Sequence, residues 1–506
     1  GKTEIYLHLF SKLMEEGGQV LFLVPEISLT PQFESRLKER LGLPATVFHS
    51  QLKESKREEA FVRALSGKPD VFLGARSALF LPFKNLKLIV VDEEHDGSYK
   101  QFERAPYNAR DLALLKAQIL GIPVVLGSAT PSLESVYRVE TQKTPIYRLP
   151  PFFDRPEASQ IIVDLKASFK DKERSFITPE LHEALIETLS NQEQALLFLN
   201  RRGSAAHRLC LGCGDVASCK NCSVALTPHR DKQKLVCHWC GYQLSLKDPC
   251  STCSSDKFLE AGIGTKELET QIRARFPEAR VARLDRDETS KTDHLAETLK
   301  KFSDGEIDIL IGTQMISKGI DISKLSLVGI IFADLGWGVP DFRGAERSFQ
   351  LLKQVCGRAG RRGQKSKIVI QTFQPTHPIF EWLRDTDSYD RMREHEMPVR
   401  RIGSFPPYSR LSLFTLSHKD LAILGKVSSL FASRLEKIGK PLGIDIWGPT
   451  DAPMSRWKGV YRHHILARSP SQPQFTTFLQ TSLDDWEQLS TSSVKLKLDR
   501  DPYHFL

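Results

Sequence analysis

Near-continuous apolar runs alternate along most of the chain with stretches whose apolar positions recur every three or four residues. The runs at 19–24, 71–74, 88–91 and 122–126 predict strands buried on both faces, because a half-exposed strand would alternate polar and apolar positions. Between them the spacing is helical. Ile5, Tyr6, Leu9, Phe10, Leu13 and Met14 share one helix face until Gly17-Gly18 ends it, and Thr30-Pro31 opens another helix as N-cap and first-turn residue. This rhythm predicts a parallel α/β sheet over residues 1–145. It resumes with strands expected at 161–165, 195–200, 280–284, 307–311, 327–332 and 368–373, so two α/β lobes stand in tandem, with a nucleotide expected at their strand ends. The pattern then changes. A strand at 409–416, a helix at 422–438, strands at 444–447 and 460–467, a helix at 474–489 and a strand at 494–498 give the order β-α-β-β-α-β, which predicts a ferredoxin-like α+β domain.

The run Leu88-Ile89-Val90-Val91 leads straight into Asp92-Glu93-Glu94-His95. Acids at the carboxyl end of a parallel strand stand where open α/β sheets hold ligands, and this is the Walker B arrangement. Asp92 is expected to hold Mg²⁺ and Glu93 to polarise the water that attacks a γ-phosphate. Gly1-Lys2-Thr3 matches the last three positions of the phosphate loop G-x-x-x-x-G-K-[ST], in which backbone amides and the lysine take the phosphates and the hydroxyl takes Mg²⁺. Because the chain opens inside that pattern, a further N-terminal part is expected to precede Gly1. Gly127-Ser128-Ala129-Thr130 and, far downstream, Gln354-Val355-Cys356-Gly357-Arg358-Ala359-Gly360-Arg361 complete four signals in helicase order.

Eight of the nine cysteines form four C-x-x-C pairs: Cys210/Cys213, Cys219/Cys222, Cys237/Cys240 and Cys250/Cys253. Four pairs within 44 residues suit two tetrahedral zinc sites better than redox-active dithiols. The fourteen residues between the inner pairs are enough for a zinc-ribbon hairpin. Nested pairing is therefore preferred over adjacent or crossed pairing: Cys210, Cys213, Cys250 and Cys253 for the first zinc, Cys219, Cys222, Cys237 and Cys240 for the second. Cys356 reads as a buried core thiol.

At 506 residues the chain exceeds a single core and should form three or four domains. It holds no run near the roughly 18 apolar residues that a membrane helix needs, and no signal peptide, so a soluble cytoplasmic protein is expected. The net charge of +9 is concentrated. Residues 397–506 carry 15 basic against 9 acidic side chains and residues 207–257 carry 7 against 4, which points polyanion contact to these two parts. Arg456-Trp457-Lys458-Gly459-Val460-Tyr461-Arg462-His463-His464 interleaves cations with aromatics, as base stacking and phosphate pairing require.

The chain resembles the PriA family of replication-restart helicases over essentially its whole length. The resemblance rests on Leu23-Val24-Pro25-Glu26-Ile27-Ser28-Leu29-Thr30, Gly74-Ala75-Arg76-Ser77-Ala78-Leu79-Phe80, Gly127-Ser128-Ala129-Thr130-Pro131-Ser132, Gly312-Thr313-Gln314-Met315-Ile316-Ser317-Lys318-Gly319, Pro340-Asp341-Phe342-Arg343-Gly344-Ala345-Glu346-Arg347 and the nested cysteines. It implies two RecA-like lobes with a two-zinc insertion in the second and a C-terminal domain, divided as 1–145, 146–206, 207–257, 258–397 and 398–506. It also implies an ATP-dependent superfamily 2 DNA helicase, moving 3′ to 5′, that recognises stalled forks. The cofactors implied are ATP with Mg²⁺ and two Zn²⁺. The partners implied are branched and single-stranded DNA, single-strand-binding protein and the primosome proteins that load the replicative helicase, in a nucleoid-associated setting without a membrane. Carried over by position, Gly1, Lys2, Thr3, Asp92 and Glu93 form the nucleotide site, with Arg358 and Arg361 as arginine fingers beside Gln354. Ser128 and Thr130 couple hydrolysis to lobe movement, and Tyr99, Lys100, Phe102, Arg104, Tyr107 and Arg110 belong to a loop that senses single-stranded DNA. Two other readings are weighed. The zinc insertion argues against an RNA helicase, and Lys2, Asp92, Glu93, Arg358 and Arg361 would be needless in a non-hydrolysing zinc scaffold.

Overall fold

The structure, a computed structural model, describes residues 2–25, 34, 37–39, 42, 45–103, 105–142, 144–149, 158–168, 175–199, 208–221, 225–229, 232–238, 240–259, 265–284, 292–313, 322–336, 341–359, 365–384, 387–489 and 493–503. It divides into two compact units, Gly1–Phe153 and Asp154–Leu506. The helix start expected at Thr30-Pro31 lies outside the described residues.

The first unit is built on a five-stranded parallel sheet ordered Thr46–Phe48, Asp70–Gly74, Gln19–Leu23, Leu86–Asp92 and Val124–Gly127. Successive side chains of a strand point to opposite faces, and here both faces are apolar because helices cover both. Val20, Phe22, Leu88 and Val90 pack with Tyr6, Leu7 and Phe10 of helix Lys2–Glu15. Leu21, Leu23, Ile89 and Val91 pack on the other side with Ala109, Ala113 and Ala117 of helix Ala109–Leu120. That helix is capped by Asn108, which accepts from the Arg110 amide, and closed by Gly121 in the left-handed conformation (φ 65°). Thr46–Phe48 was not expected from the sequence, since three residues at a sheet edge carry too little pattern.

The second unit contains a six-stranded parallel sheet ordered Val281–Leu284, Ile309–Gly312, Gln194–Leu199, Leu325–Ile331, Lys367–Thr372 and Ser159–Asp164. All six expected strands are present within a few residues. The cysteine-rich segment follows Gln194–Leu199 and forms two small antiparallel sheets, Leu209–Cys210 with Phe258–Leu259, and Thr227–His229, Lys234–Val236 and Gln243–Ser245. The C-terminal sheet is antiparallel, ordered Asp445–Trp457, Val460–Ser469, Arg410–His418 and Lys495–Arg500. Helices Leu421–Gly439 and Gln472–Leu489 share one core with it, which is the ferredoxin-like arrangement. Its long strand runs well beyond the expected end at 447, as far as Trp457.

These parts of the second unit share cores. Cys219, Leu226, Leu235 and Cys237 of the cysteine-rich segment are packed with Leu411, Leu413 and Leu466 of the C-terminal sheet. The 397/398 division falls inside helix Ser388–Ile402, which passes through Pro398 without ending. A helix survives an internal proline only if tertiary contacts outweigh a penalty of about 3 kcal/mol. Here Arg400, fully buried, reaches Glu346 Oε2 at 2.5 Å and the carbonyl of Pro406 at 3.2 Å.

Candidate functional site

Strand Leu86–Asp92 ends on Asp92, and Glu93 then turns the chain with φ 46°, a left-handed conformation that is costly for a residue with a Cβ. Both acids meet Lys2, the first residue of its helix. Its Nζ lies 2.6 Å from Glu93 Oε1 and 3.4 Å from Asp92 Oδ1. One helical turn on, Tyr6 donates its hydroxyl to Asp92 Oδ1 at 3.0 Å. Burial pulls the Lys2 pKa down, but the charges of Glu93 and Asp92 outweigh it and hold the ammonium above the ordinary lysine value. Burial pushes Asp92 up. Glu93 is pushed up by burial too, yet the Lys2 charge holds it below the usual carboxylate value.

The next two residues tie this block to the segment after strand Val124–Gly127. Glu94 is buried and accepts from the Ser132 amide at 2.6 Å, Ser132 Oγ at 3.0 Å, Ser135 Oγ at 2.8 Å and Arg110 Nη1 at 3.2 Å. His95 Nδ1 lies 2.7 Å from Ser128 Oγ, which accepts from the Thr130 amide at 2.9 Å. So Ser128 and Thr130 are wired to the end of the acidic block.

A phosphate and a hard cation suit this donor set. Lys2 stands at a helix N-terminus, where amide groups and the macrodipole favour anions. Asp92 offers carboxylate oxygen, the ligand type that Mg²⁺ takes. Glu93 Oε2 is buried and accepts no hydrogen bond among the described residues; His95 Nδ1 stands 3.6 Å from it, beyond hydrogen-bond reach, so its lone pairs suit a polarised water. Gly1 lies outside the described residues, and Thr3 is half-buried on the same helix as Lys2.

In the loop after the acids, expected to sense DNA, three of the six side chains are buried rather than at the surface. Tyr99 is buried, its hydroxyl 2.7 Å from the Asp92 carbonyl and 2.9 Å from that of Leu23. Lys100 and Arg110 are also buried, so these three face the protein. Phe102 and Tyr107 are half-buried, and Tyr107 meets the exposed ring of Phe80 edge-on at 5.3 Å. Arg104 lies outside the described residues. Arg76 Nη1 holds the loop through the carbonyls of Ser98 (3.0 Å) and Lys100 (2.8 Å).

The second unit brings the cysteines together. The sulfurs of Cys210, Cys213, Cys250 and Cys253 all lie within 4.8 Å of one another, as do those of Cys219, Cys237 and Cys240; Cys222 lies outside the described residues. Sγ···Sγ separations are 3.5 Å for Cys210 with Cys253 and 3.6 Å for both Cys213 with Cys250 and Cys219 with Cys240. A tetrahedron with Zn–S bonds of about 2.3 Å has edges of about 3.8 Å, so the thiols stand nearly where zinc requires them. Three pairs are set by the same turn. The amides of Gly214, Gly241 and Ser254 donate to the carbonyls of Cys210, Cys237 and Cys250 at 2.8, 2.9 and 2.8 Å. All three donors adopt left-handed backbone, with φ of 81°, 77° and 58°. Four thiolates close a coordination sphere and leave no open position, which is the structural kind of zinc site.

Gln354 lies on helix Gly344–Cys356 and Arg358 on the turn that follows it, both half-buried, while Arg361 lies outside the described residues. The other end of this helix carries contacts that pattern reading did not single out. Arg347 Nη1 lies 2.6 Å from Asp341 Oδ2, and its Nη2 donates to the Tyr503 carbonyl at 2.6 Å. Arg343 Nη1 donates to the Pro502 carbonyl at 3.1 Å. The density of charge in residues 341–347 was the available signal.

Two parallel α/β lobes, a lysine at a helix start held against acids at a strand end, and a cysteine-rich insertion define the class as an ATP-dependent helicase. Family models match in accord with this: DEAD/DEAH box helicase over residues 1–139, PriA DNA helicase Cys-rich region over 219–244, helicase conserved C-terminal domain over 252–363 and primosomal protein N C-terminal domain over 401–503. The replication restart protein PriA of Bacillus subtilis is 39% identical over 510 residues, covering 99% of this chain and 62% of that protein. The Rickettsia felis protein of the same name is 38% identical, with coverage of 100% and 77%, and the Haemophilus influenzae one 38%, with 99% and 68%. The chain belongs to the PriA family of replication restart proteins. Among the described residues no helix is long and apolar enough to cross a membrane.

Proposed function

We propose that this chain forms the motor and part of the DNA-binding surface of a superfamily 2 helicase that moves 3′ to 5′, engages stalled or recombined forks and initiates primosome assembly for replication restart. The observation that carries this reading is the meeting of Lys2 with Asp92 and Glu93, with Glu93 Oε2 buried and accepting no hydrogen bond among the described residues. Bound magnesium would supply charge neutralisation at the β- and γ-phosphates. Gly1, Lys2 and Thr3 bind phosphate and the metal, Asp92 holds the metal and Glu93 orients water. Arg358 and Arg361, beside Gln354, donate positive charge to the γ-phosphate. A finger of this kind is worth roughly 10³–10⁵ in rate. The cysteines hold two zinc ions that stabilise the second unit and supply no reaction step.

DNA contact is assigned to the hairpin that closes the long C-terminal strands. Lys458 and Gly459, with φ of 49° and 81°, form its two-residue turn, and Trp457 beside them is 52% exposed, with Lys458 Nζ 5.9 Å from its ring centroid, so an aromatic and a cation are offered together to a nucleotide. Arg456 lies 5.0 Å from the Tyr461 ring centroid. The protein partners, single-strand-binding protein and the primosome proteins that load the replicative helicase, follow from the family, as does a cytoplasmic, nucleoid-associated setting. The test is unwinding of synthetic forks by the natural protein, with ATPase followed in parallel. Lys2→Ala should abolish both, and unwinding of a 5′-tailed substrate in preference to a 3′-tailed one would overturn the assigned direction.

A further inference from the structure

Gly127 ends the strand that pairs in register with Asp92, so residues at these two positions project to the same face of the sheet. Its backbone is not left-handed: φ is positive at ten other described glycines and not at this one. Conformational freedom therefore does not explain the glycine, and space does. A Cβ at 127 would stand 1.6 Å from the Tyr6 hydroxyl and 2.9 Å from the ring carbon that bears it, where real Cβ atoms essentially never sit. The same hydroxyl is the donor to Asp92 Oδ1, at 3.0 Å.

We propose, on the reading of Asp92 as the metal-holding acid, that Tyr6 is a positioning residue for the Asp92 carboxylate and that Gly127 is glycine to leave room for the Tyr6 hydroxyl. The helix supplies the geometry: Tyr6 lies four residues after Lys2, so one face presents both donors to one carboxylate. The two donors act differently. Lys2 is bound to follow an arriving phosphate, because its ammonium is the phosphate ligand, whereas the phenol is anchored. The Tyr6 ring packs on Phe22 with centroids 5.5 Å apart, and Tyr6 is buried in the cluster beneath the sheet. The phenol thus keeps Oδ1 in one rotamer through the whole nucleotide cycle, an ordering that the carboxylate would otherwise have to supply when metal binds. Because Ser128 directly follows Gly127, the contact also fixes the start of the segment that touches His95.

Three variants of the natural protein test this, with Lys2→Ala as the control for the site itself. Affinity for Mg–ADP is measured by calorimetry, and DNA-stimulated ATPase is measured against magnesium concentration. Tyr6→Phe should weaken Mg–ADP binding about tenfold and raise the half-saturating magnesium similarly, in the range of about 10- to 100-fold seen on loss of outer-shell partners of metal ligands. Gly127→Ala should do at least as much, because the methyl group expels the hydroxyl. The Tyr6→Phe/Gly127→Ala double variant should be no worse than Gly127→Ala alone, since the severest collision, at 1.6 Å, is gone and only the ring-carbon contact at 2.9 Å remains to be relieved. Wild-type magnesium dependence in Tyr6→Phe overturns the proposal, as does additivity of the two changes. If Gly127→Ala does not fold, Tyr6→Phe decides alone. If Lys2→Ala leaves nucleotide binding and ATPase intact, the site reading falls; if Lys2→Ala is inactive and Tyr6→Phe is normal, only the positioning role falls.

Discussion

Arg110 Nη1 lies 3.2 Å from Glu94 Oε2, and both side chains are almost completely enclosed. The arginine that sequence reading placed in a DNA-sensing loop is thus the counter-ion of the third residue in the acidic block. Removing one partner of a buried pair strands the other charge, at a cost of about 3–5 kcal/mol. Arg110→Met should therefore lower the stability of the first unit by that order in denaturant unfolding, and adding Glu94→Gln should restore part of it. An Arg110→Met protein as stable as the parent would show that the three other donors to Glu94 suffice.

Glu93→Gln keeps the shape of the side chain and removes its basicity. It should retain binding of ATP and magnesium while turnover falls by about 10²–10⁴, the usual span for loss of a general base. Nucleotide binding by fluorescence and phosphate release by single turnover separate the two. Near-normal turnover would remove Glu93 from the chemistry.

Metal analysis should find two zinc ions per chain, with Cys213→Ser losing one and Cys219→Ser the other. Since Cys219 and Cys237 are packed with Leu411, Leu413 and Leu466, loss of the second zinc should also speed hydrogen exchange in the C-terminal sheet, while the first unit is unaffected. Thiol titration gives an independent check. Burial pushes Cys356 up to about 12, which leaves a thiolate fraction of about one in ten thousand at pH 8. Chelated but folded protein should expose the other eight of the nine cysteines and leave Cys356 unreactive until denatured.

At the hairpin, Arg456→Ser with Lys458→Ser should reduce the slope of log affinity against log salt by about 1.4 for single-stranded DNA, given about 0.7 per phosphate contact. Trp457→Ala should cost about 1–3 kcal/mol with the slope unchanged, because stacking releases no counterions. A slope that does not move with the paired change would place the phosphate contacts elsewhere. Deleting the whole domain is a poorer test than these substitutions, since it would uncover Cys219, Leu226 and Cys237.

The sheets were legible because strands buried on both faces leave unbroken apolar runs, and the cysteines because metal geometry restricts spacing. At Leu88–Val91 the signal is plainest, since four apolar residues run directly into the acids. The helical spacing marks Tyr6 only as a core position: its ring is apolar-facing, and nothing in a helical repeat marks a hydroxyl that reaches a carboxylate 86 residues away. Tyr99 and Arg110 point the opposite way, since cations and aromatics in a loop suggest a surface, and only the fold shows the carbonyls of Asp92 and Leu23 taking the first and Glu94 the second. The helix through Pro398 is invisible to local chemistry, which disfavours proline there, because Arg400 and Glu346 hold it from outside the local sequence.

Helix Gly344–Cys356 links two ends of the second unit that carry arginines. Its 13 residues, at about 1.5 Å each, span about 20 Å. At one end Arg343 and Arg347 grip the carbonyls of Pro502 and Tyr503, just past the last strand of the C-terminal sheet; at the other stands Arg358. A ligand that shifts the C-terminal domain therefore moves a stiff element rather than a chain of loops. By thermodynamic necessity, if DNA on that domain changes nucleotide affinity by some factor, nucleotide must change DNA affinity by the same factor.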